Sequence, residues 1–277
     1  MFHNVKQRFI NLQFFIILAK YNFKIIKLDT DNLILNQSVI KAFTLLDVFT
    51  NDKKEWGVRE LAHKTGYNKS TTYRLLTTLV TLNAIQQNEN EKYILGSKLF
   101  ELGNRVSLYQ SLINSTRNSL IKIATDIEET ILFGVLKNDQ VFYLHKAESL
   151  QGLKISTSVG SYQPLHSTAI GKIILAFLPE EKQKQILQNI DYKTFTQNTI
   201  ADAHQLTNEL KEVQQQKYAL DLEEFELGLI CIALPVFNKN NECIGAISAS
   251  GPSSRFELEK VAHYVSIIKK GIAEIVF

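Results

Sequence analysis

Along the first hundred residues, apolar positions recur at helical spacing and are separated by short polar breaks. Val39, Ile40, Phe43, Leu46 and Phe49 keep that spacing behind Ser38, the expected N-cap, until the polar stretch at 51–55 ends the helix. Arg59–Thr65 predicts a second, short helix with Leu61 and Ala62 facing inward. Gly66-Tyr67 supplies a tight turn, because Gly tolerates positive φ. Asn68–Asn83 then reads as one helix with two faces. Leu75, Leu79 and Leu82, backed by Leu76 and Val80, form its apolar stripe. Its opening turns carry Lys69, Ser70, Thr71, Thr72, Tyr73 and Arg74, with Asn68 placed to cap the first free N–H groups. Ala84–Gln87 and Lys92–Leu95 flank a turn at 88–91, the pattern of a β-hairpin, and Ser97–Ser111 predicts a connecting helix.

Beyond residue 111 the period changes repeatedly. A helix over Leu112–Ile127 precedes two β-rich runs, Thr130–Leu136 and Gln140–His145, around a turn at 137–140; a third run covers Leu153–Val159. Leu165–Ala176 reads as a loop entering a small-residue helix, and Lys182–Gln188 and Ala203–Gln216 as further helices. Strands at Leu229–Phe237 and Glu242–Ser250 flank an Asn-rich turn, and Glu257–Ile275 closes the chain as an amphipathic helix. Antiparallel strand pairs with helices to one side predict an α+β domain.

The 277 residues suffice for two domains, and 45% hydrophobic with 21% charged residues is a globular balance. Cys231 and Cys243 make neither a zinc spacing nor a disulfide framework, which places the chain by default in a reducing cytoplasm, and no metal or cofactor is expected. The net charge of +3 resides wholly in residues 1–33, so residues 34–277 are neutral. Residues 1–35 fit poorly with the rest. The apolar run Phe14–Ala19 is too short to span a bilayer and lacks a cleavage site, so the segment reads as a loose extension or an over-called start, with no membrane role.

Helix, Gly turn and helix form a helix-turn-helix, and the following hairpin makes it the winged version, whose second helix reads the major groove. Hydroxyls, amides and Arg at the front of Asn68–Asn83 suit base edges and phosphates, and Lys92 with Gln86 could add phosphate contacts from the wing. A generic helical hairpin shares part of this pattern. With no basic stripe, a few placed cations must carry DNA binding.

Here the chain resembles the IclR family of bacterial transcriptional regulators. The resemblance rests on Asn36-Gln-Ser-Val-Ile-Lys-Ala, Glu60-Leu-Ala, Gly66, Lys69-Ser-Thr, Arg74-Leu-Leu and Tyr93-x-Leu-Gly96-x-x-Leu99, and runs to the C-terminus. Val58 departs from it, standing where a Ser or Thr cap is usual. The resemblance implies a winged helix-turn-helix domain over 36–97, a linker helix over 98–111, and a GAF-like α/β effector-binding domain over 112–277. It further implies a regulator of operator DNA, a repressor by expectation, controlled by a small organic acid. The expected assembly is a homodimer, with a tetramer as the alternative.

The same resemblance places ligand contacts at Ala169 and Ile170, whose backbone N–H groups near a helix start suit a carboxylate. Asp221, Cys231, Ser248 and Ser250 would complete a polar shell, with Leu229 on the apolar wall. From the residues alone, Ser248 and Ser250 also read as strand hydroxyls, Cys231 as core, and Asp221, Glu223, Glu224 and Glu226 as a solvated acidic turn. A metabolic enzyme is the alternative function, since His166, Ser167, Ser248, Ser250 and Asp221 supply Ser-His-Asp ingredients. No G-x-S-x-G elbow holds a serine, however. Ala169–Lys172 ends like a phosphate loop, but His166 stands at the first Gly and Ile173 at the Ser/Thr.

Overall fold

The computed structural model describes residues 35–276 apart from 51, 52, 108, 153, 154 and 156. Residues 1–34 of the expected N-terminal extension therefore lie outside the described residues, as does part of the third β run. The chain forms two compact units, the second beginning at Tyr109.

In the first unit, α1 (Gln37–Leu46) is capped by Asn36, whose side chain accepts the N–H groups of Ser38 and Val39. The cap is thus two residues earlier than Ser38, because an Asn in extended backbone presents its oxygen to the first turn. After α1 come α2 (Val58–Thr65) and α3 (Lys69–Thr81), joined through Gly66 at φ +73°. Strands β1 (Ile85–Gln87) and β2 (Tyr93–Leu95) pair antiparallel, and Trp56 exchanges two backbone hydrogen bonds with Tyr93, at 3.0 and 2.8 Å. Leu45, Leu61, Leu76, Leu79, Ile85 and Tyr93 form the core. The expected helix over Ser97–Ser111 is interrupted. α4 (Ser97–Gly103) stops at Gly103, and the next helix, α5 (Gln110–Ile127), starts in the second unit. Gly103 and Asn104 are weak helix formers, and the helix ends there although Leu99, Leu102 and Val106 keep helical spacing across them.

The second unit is built on one six-stranded antiparallel sheet in the order β5-β4-β3-β8-β7-β6. Its strands are β3 (Thr130–Lys137), β4 (Gln140–Ala147), β5 (Tyr162–Gln163), β6 (Ala219–Leu222), β7 (Leu229–Phe237) and β8 (Cys243–Pro252). Where a third strand was expected over 153–159, the edge strand is β5, only two residues long and paired to Val141 and Phe142. Helices cover both faces, not one. Ile131, Phe133, Ile230, Ile232, Leu234 and Ile247 pack under α5 and α9 (Val261–Ala273). The opposite face meets α6 (Ala169–Ala176), α7 (Glu180–Asn189) and α8 (Ala203–Gln216). Strands β3, β7 and β8 are buried along almost their whole length, so neither face could be left to water.

Beside Leu132, Val141 and Tyr143, the face beneath α6 carries a run of small residues. Gly134, Cys231, Ala233, Ala246, Ser248 and Ser250 occupy it, against Phe, Ile and Leu on the other. A Cβ at Gly134 would stand 3.0 Å from Ile170 Cγ2, so the missing side chain sets how closely α6 approaches. That asymmetry makes room for the site.

Candidate functional site

Two groups of residues carry chemistry, one in each unit. In the first, Asn68 caps α3, its Oδ1 accepting the N–H of Thr71 at 2.8 Å and the hydroxyl of Ser70 at 2.9 Å. Lys69, Ser70, Tyr73 and Arg74 are exposed on the front of the helix, and Thr71 is half-buried beside them. Thr72 is not part of that face. It is fully buried, its hydroxyl donating to the Asn68 carbonyl, and it continues the inward line through Leu76 and Leu79. Leu82, expected in the stripe, is instead 59% exposed, because the helix ends at Thr81 and its last turn leaves the core. The outward face extends further than the sequence reading reached, through Thr77 and Thr78 one turn on. Helical spacing from Tyr73 and Arg74 was the available signal.

Lys92 stands on the wing, but its ammonium lies 2.7 Å from Glu60 Oε2. Glu60 also receives Lys53 at 2.8 Å and the backbone N–H of Gly57 at 2.7 Å. Those three donors, the Lys53 ammonium foremost, hold its carboxyl down to about 2. The same carboxylate serves the start of α2, where the cap position falls on Gly57, which has no side chain to offer, and Val58 is already the first helical residue.

In the second unit, Ala169, Ile170, Asp221, Leu229, Cys231, Ser248 and Ser250 all line one cavity. The sheet register explains their meeting. Asp221 pairs with Cys231, Cys231 with Ser250, and Ser248 with Leu132, so one face of four adjacent strands turns into the space. Ser248 and Ser250 hydroxyls lie 3.3 Å apart, two residues along one strand. Thr168 caps α6 by accepting the Gly171 N–H at 3.1 Å, leaving the N–H groups of Ala169 and Ile170 as its open first-turn donors. The sequence reading missed Leu132, Tyr143, Ile155, Thr157, Thr168 and Phe225 of the lining. Alternation along β3 and β4 could have nominated the first two.

Among the described residues, Asp221 is the one carboxylate of the lining, and none of the lining is a cation. Its Oδ1 accepts the N–H of Glu224 at 2.8 Å, yet burial, reinforced by the Glu224 charge, pushes its carboxyl up to about 7. Burial also raises the Cys231 thiol well above its ordinary range, which makes it inert as a nucleophile. Behind Asp221 lies a buried ion cluster. Lys172 Nζ sits 2.6 Å from Glu224 Oε1 and 2.9 Å from Glu209 Oε1, with Lys172 itself 1% exposed. Glu224 is therefore no solvated turn residue, and neither is Asp221; an internal cation holds Glu224, while Glu226 alone of the four acids stays fully exposed with Glu223 intermediate. A lone Lys inside the apolar run of α6 was the sequence signal for this.

The Ser-His-Asp ingredients do not assemble. His166 meets the Lys193 carbonyl at 3.0 Å through Nε2, and the two strand serines bond each other.

A winged helix-turn-helix with a polar, cationic helix front, followed by a unit that holds a small, mostly apolar cavity with a few polar groups, is the architecture of a DNA-binding transcription regulator with a ligand-sensing domain. Residues 105–276 match the bacterial transcriptional regulator IclR C-terminal domain, and residues 38–89 match the IclR helix-turn-helix domain. The chain belongs to the IclR family. It is 39% identical over 232 residues to the HTH-type transcriptional regulator KdgR of Escherichia coli, covering 83% of this chain and 88% of that protein. The crystal structure of Thermotoga maritima IclR aligns with a TM-score of 0.69 at 29% identity, over 86% of this chain and 96% of that one. An IclR homolog from Microbacterium hydrocarbonoxydans, in complex with 4-hydroxybenzoate, shares the fold with a TM-score of 0.76 at 19% identity, over 86% and 96%. Among the described residues no helix is long and apolar enough to cross a membrane.

Proposed function

We propose that this chain represses transcription from an operator that it grips through the front of α3, and that a small organic acid in the second-unit cavity controls that grip. The observation that carries the reading is the convergence of seven residues from α6, β6, β7 and β8 on one cavity. The acid's carboxylate would rest on the Ala169 and Ile170 N–H groups at the positive end of α6. Asp221, Cys231, Ser248 and Ser250 would bind its polar groups, and Leu229 its apolar body. The homolog that holds 4-hydroxybenzoate supports this ligand class. The space open to the centre of a water molecule is about 20 Å³, enough for one or two waters. An organic acid therefore enters only as the lining moves apart, and that displacement is the change an effector needs to bias DNA affinity.

A homodimer in the cytoplasm is part of the same reading. Val39, Ile40 and Phe43 leave an apolar strip of α1 exposed, with Phe43 at 63%, and a second copy would cover it. Two copies of α3 would then read half-sites about one helical turn, or a multiple, apart. The test is genome-wide mapping of bound DNA followed by gel shifts on the recovered operator. Arg74→Ala should weaken binding severely with the fold intact, whereas Thr72→Val should leave it within twofold. Unchanged affinity for Arg74→Ala would refute the groove assignment.

A further inference from the structure

The Glu60 side chain ties three separate segments of the DNA-binding unit together. Its Oε2 accepts the Gly57 N–H and the Lys92 ammonium, each at 2.7 Å, and its Oε1 accepts the Lys53 ammonium at 2.8 Å. The loop before α2, the N-terminus of α2 and the wing residue that precedes β2 thus meet at one carboxylate. The surroundings support that meeting. The Lys53 ammonium also sits 3.8 Å over the Trp56 ring, whose Nε1 donates to the Lys53 carbonyl at 3.1 Å. Trp56 in turn is bonded on both sides of its peptide to Tyr93, the residue after Lys92. A Cβ at Gly57 would lie 3.2 Å from Glu60 Oε2 and 3.5 Å from Lys92 Nζ, so the absence of a side chain there leaves room for the pair.

From this geometry we infer that Glu60 is a positioning residue for DNA binding: it fixes the wing to the helix-turn-helix and withdraws Lys53 and Lys92 from phosphate contact. Residues 34–96 contain eight basic and six acidic residues, so two withdrawn lysines are a large share of the available charge. Glu60 thereby holds down sequence-independent affinity, leaving Lys69, Arg74 and the hydroxyls of α3 to act through placement. The carboxylate stays ionised at every pH at which the protein would meet DNA, so the restraint is constant.

Sequence-independent binding is read from its salt dependence, which counts phosphate contacts at about 0.9 in the slope of log K against log [salt] per contact. The full chain is titrated, by fluorescence anisotropy, onto a labelled duplex of arbitrary sequence across a sodium chloride series. Glu60→Gln keeps the shape and the acceptor for Gly57 but releases both cations. Its slope should steepen by about 0.9 to 1.8 per protomer. Lys92→Gln alone should leave the wild-type slope unchanged, and in the Glu60→Gln background should remove about 0.9. A wild-type slope that falls by about 0.9 on Lys92→Gln overturns the inference. So does an unchanged slope in a folded Glu60→Gln protein. Should Glu60→Gln fail to fold, Lys53→Gln and Lys92→Gln decide alone, since each must leave the slope as it was.

Discussion

Replacing Asp221 by Asn tests the electrostatics of the cavity without altering its shape. The Asn side-chain oxygen can still accept the Glu224 N–H, so the turn after β6 keeps its bond. What disappears is the ionisation. The Asp221 carboxyl is raised from 3.8 to about 7 in the folded protein, first by burial and then by the charge of Glu224, with Lys172 opposing. A carboxyl raised on folding is neutral in both states below pH 3.8. Between there and about 7 the unfolded chain has lost the proton and the folded one has not, so stability falls as pH rises. At about 1.4 kcal/mol per pH unit over roughly three units, the full loss is about 4 kcal/mol, and less if Glu224 or Glu209 takes up part of the titration. Groups that do not interact with Asp221 are shared by the two proteins and cancel. Relative to wild type, Asp221→Asn should therefore gain about 3 to 4 kcal/mol between pH 4 and pH 7.5. Trp56 is the single tryptophan and lies in the first unit, so its fluorescence reports the other domain. Amide hydrogen exchange at the buried β7 residue Ile232 and β8 residue Ala249 measures the right one. Two stability curves that run parallel with pH would refute a neutral Asp221.

Two further substitutions test the packing that supports each unit. Lys172→Met leaves Glu224 buried with no cation, so unfolding of the second unit should be easier by about 3 to 5 kcal/mol at pH 7.5. That deficit should shrink toward pH 5 as the carboxyl takes a proton; urea titrations followed by circular dichroism at the two pH values check both. Leu76→Ala removes a fully buried side chain from the core beneath α3 and should cost about 2 to 5 kcal/mol, read through the Trp56 fluorescence transition. A loss below about 1 kcal/mol would mean that α3 is not seated on Leu76.

The parts of this fold that were legible share a local cause. The helices α3 and α8 announce themselves through Asn68 and Asp202, whose side chains take first-turn N–H groups, and both lie within a residue or two of their expected bounds. β7 ends where expected because Gly228 adopts positive φ before it and Asn238 opens a turn after it. What was illegible depends on partners far along the chain. The two residues of β5 and the four of β6 are too short for a period-two pattern and exist only because Val141 and Ile232 pair with them. The interruption after Gly103 lies in an apolar-rich stretch whose periodicity gave no warning. In the site, Cys231, Ser248 and Ser250 were approachable because β-strand alternation and the family motif agree on one face. Lys172 was half legible, as a lone charge inside the apolar run of α6, but its partner Glu224 lies 52 residues further on and reads locally as an ordinary acid.

The cavity and the close seat of α6 have one origin in the small residues of the sheet face beneath it, and this fixes where the cavity can widen. Toward β7 and β8 the wall is made of central strands buried along nearly their full length and paired on both sides. Toward Ile155 and Thr157 the wall leads into β5, an edge strand held by two residue pairs, and then through Pro164 to the Thr168 cap. A guest larger than a water molecule has far less to break on that second side. Displacement there acts on Tyr162, whose ring lies 4.9 Å from Phe142, and Phe142 lies 6.0 Å from Tyr109, with the Lys137 ammonium over all three rings. Tyr109 is the first residue of the second unit and the residue from which α5 starts. The soft wall of the cavity is thus continuous, through three packed rings and one lysine, with the point where the chain enters from the DNA-binding unit.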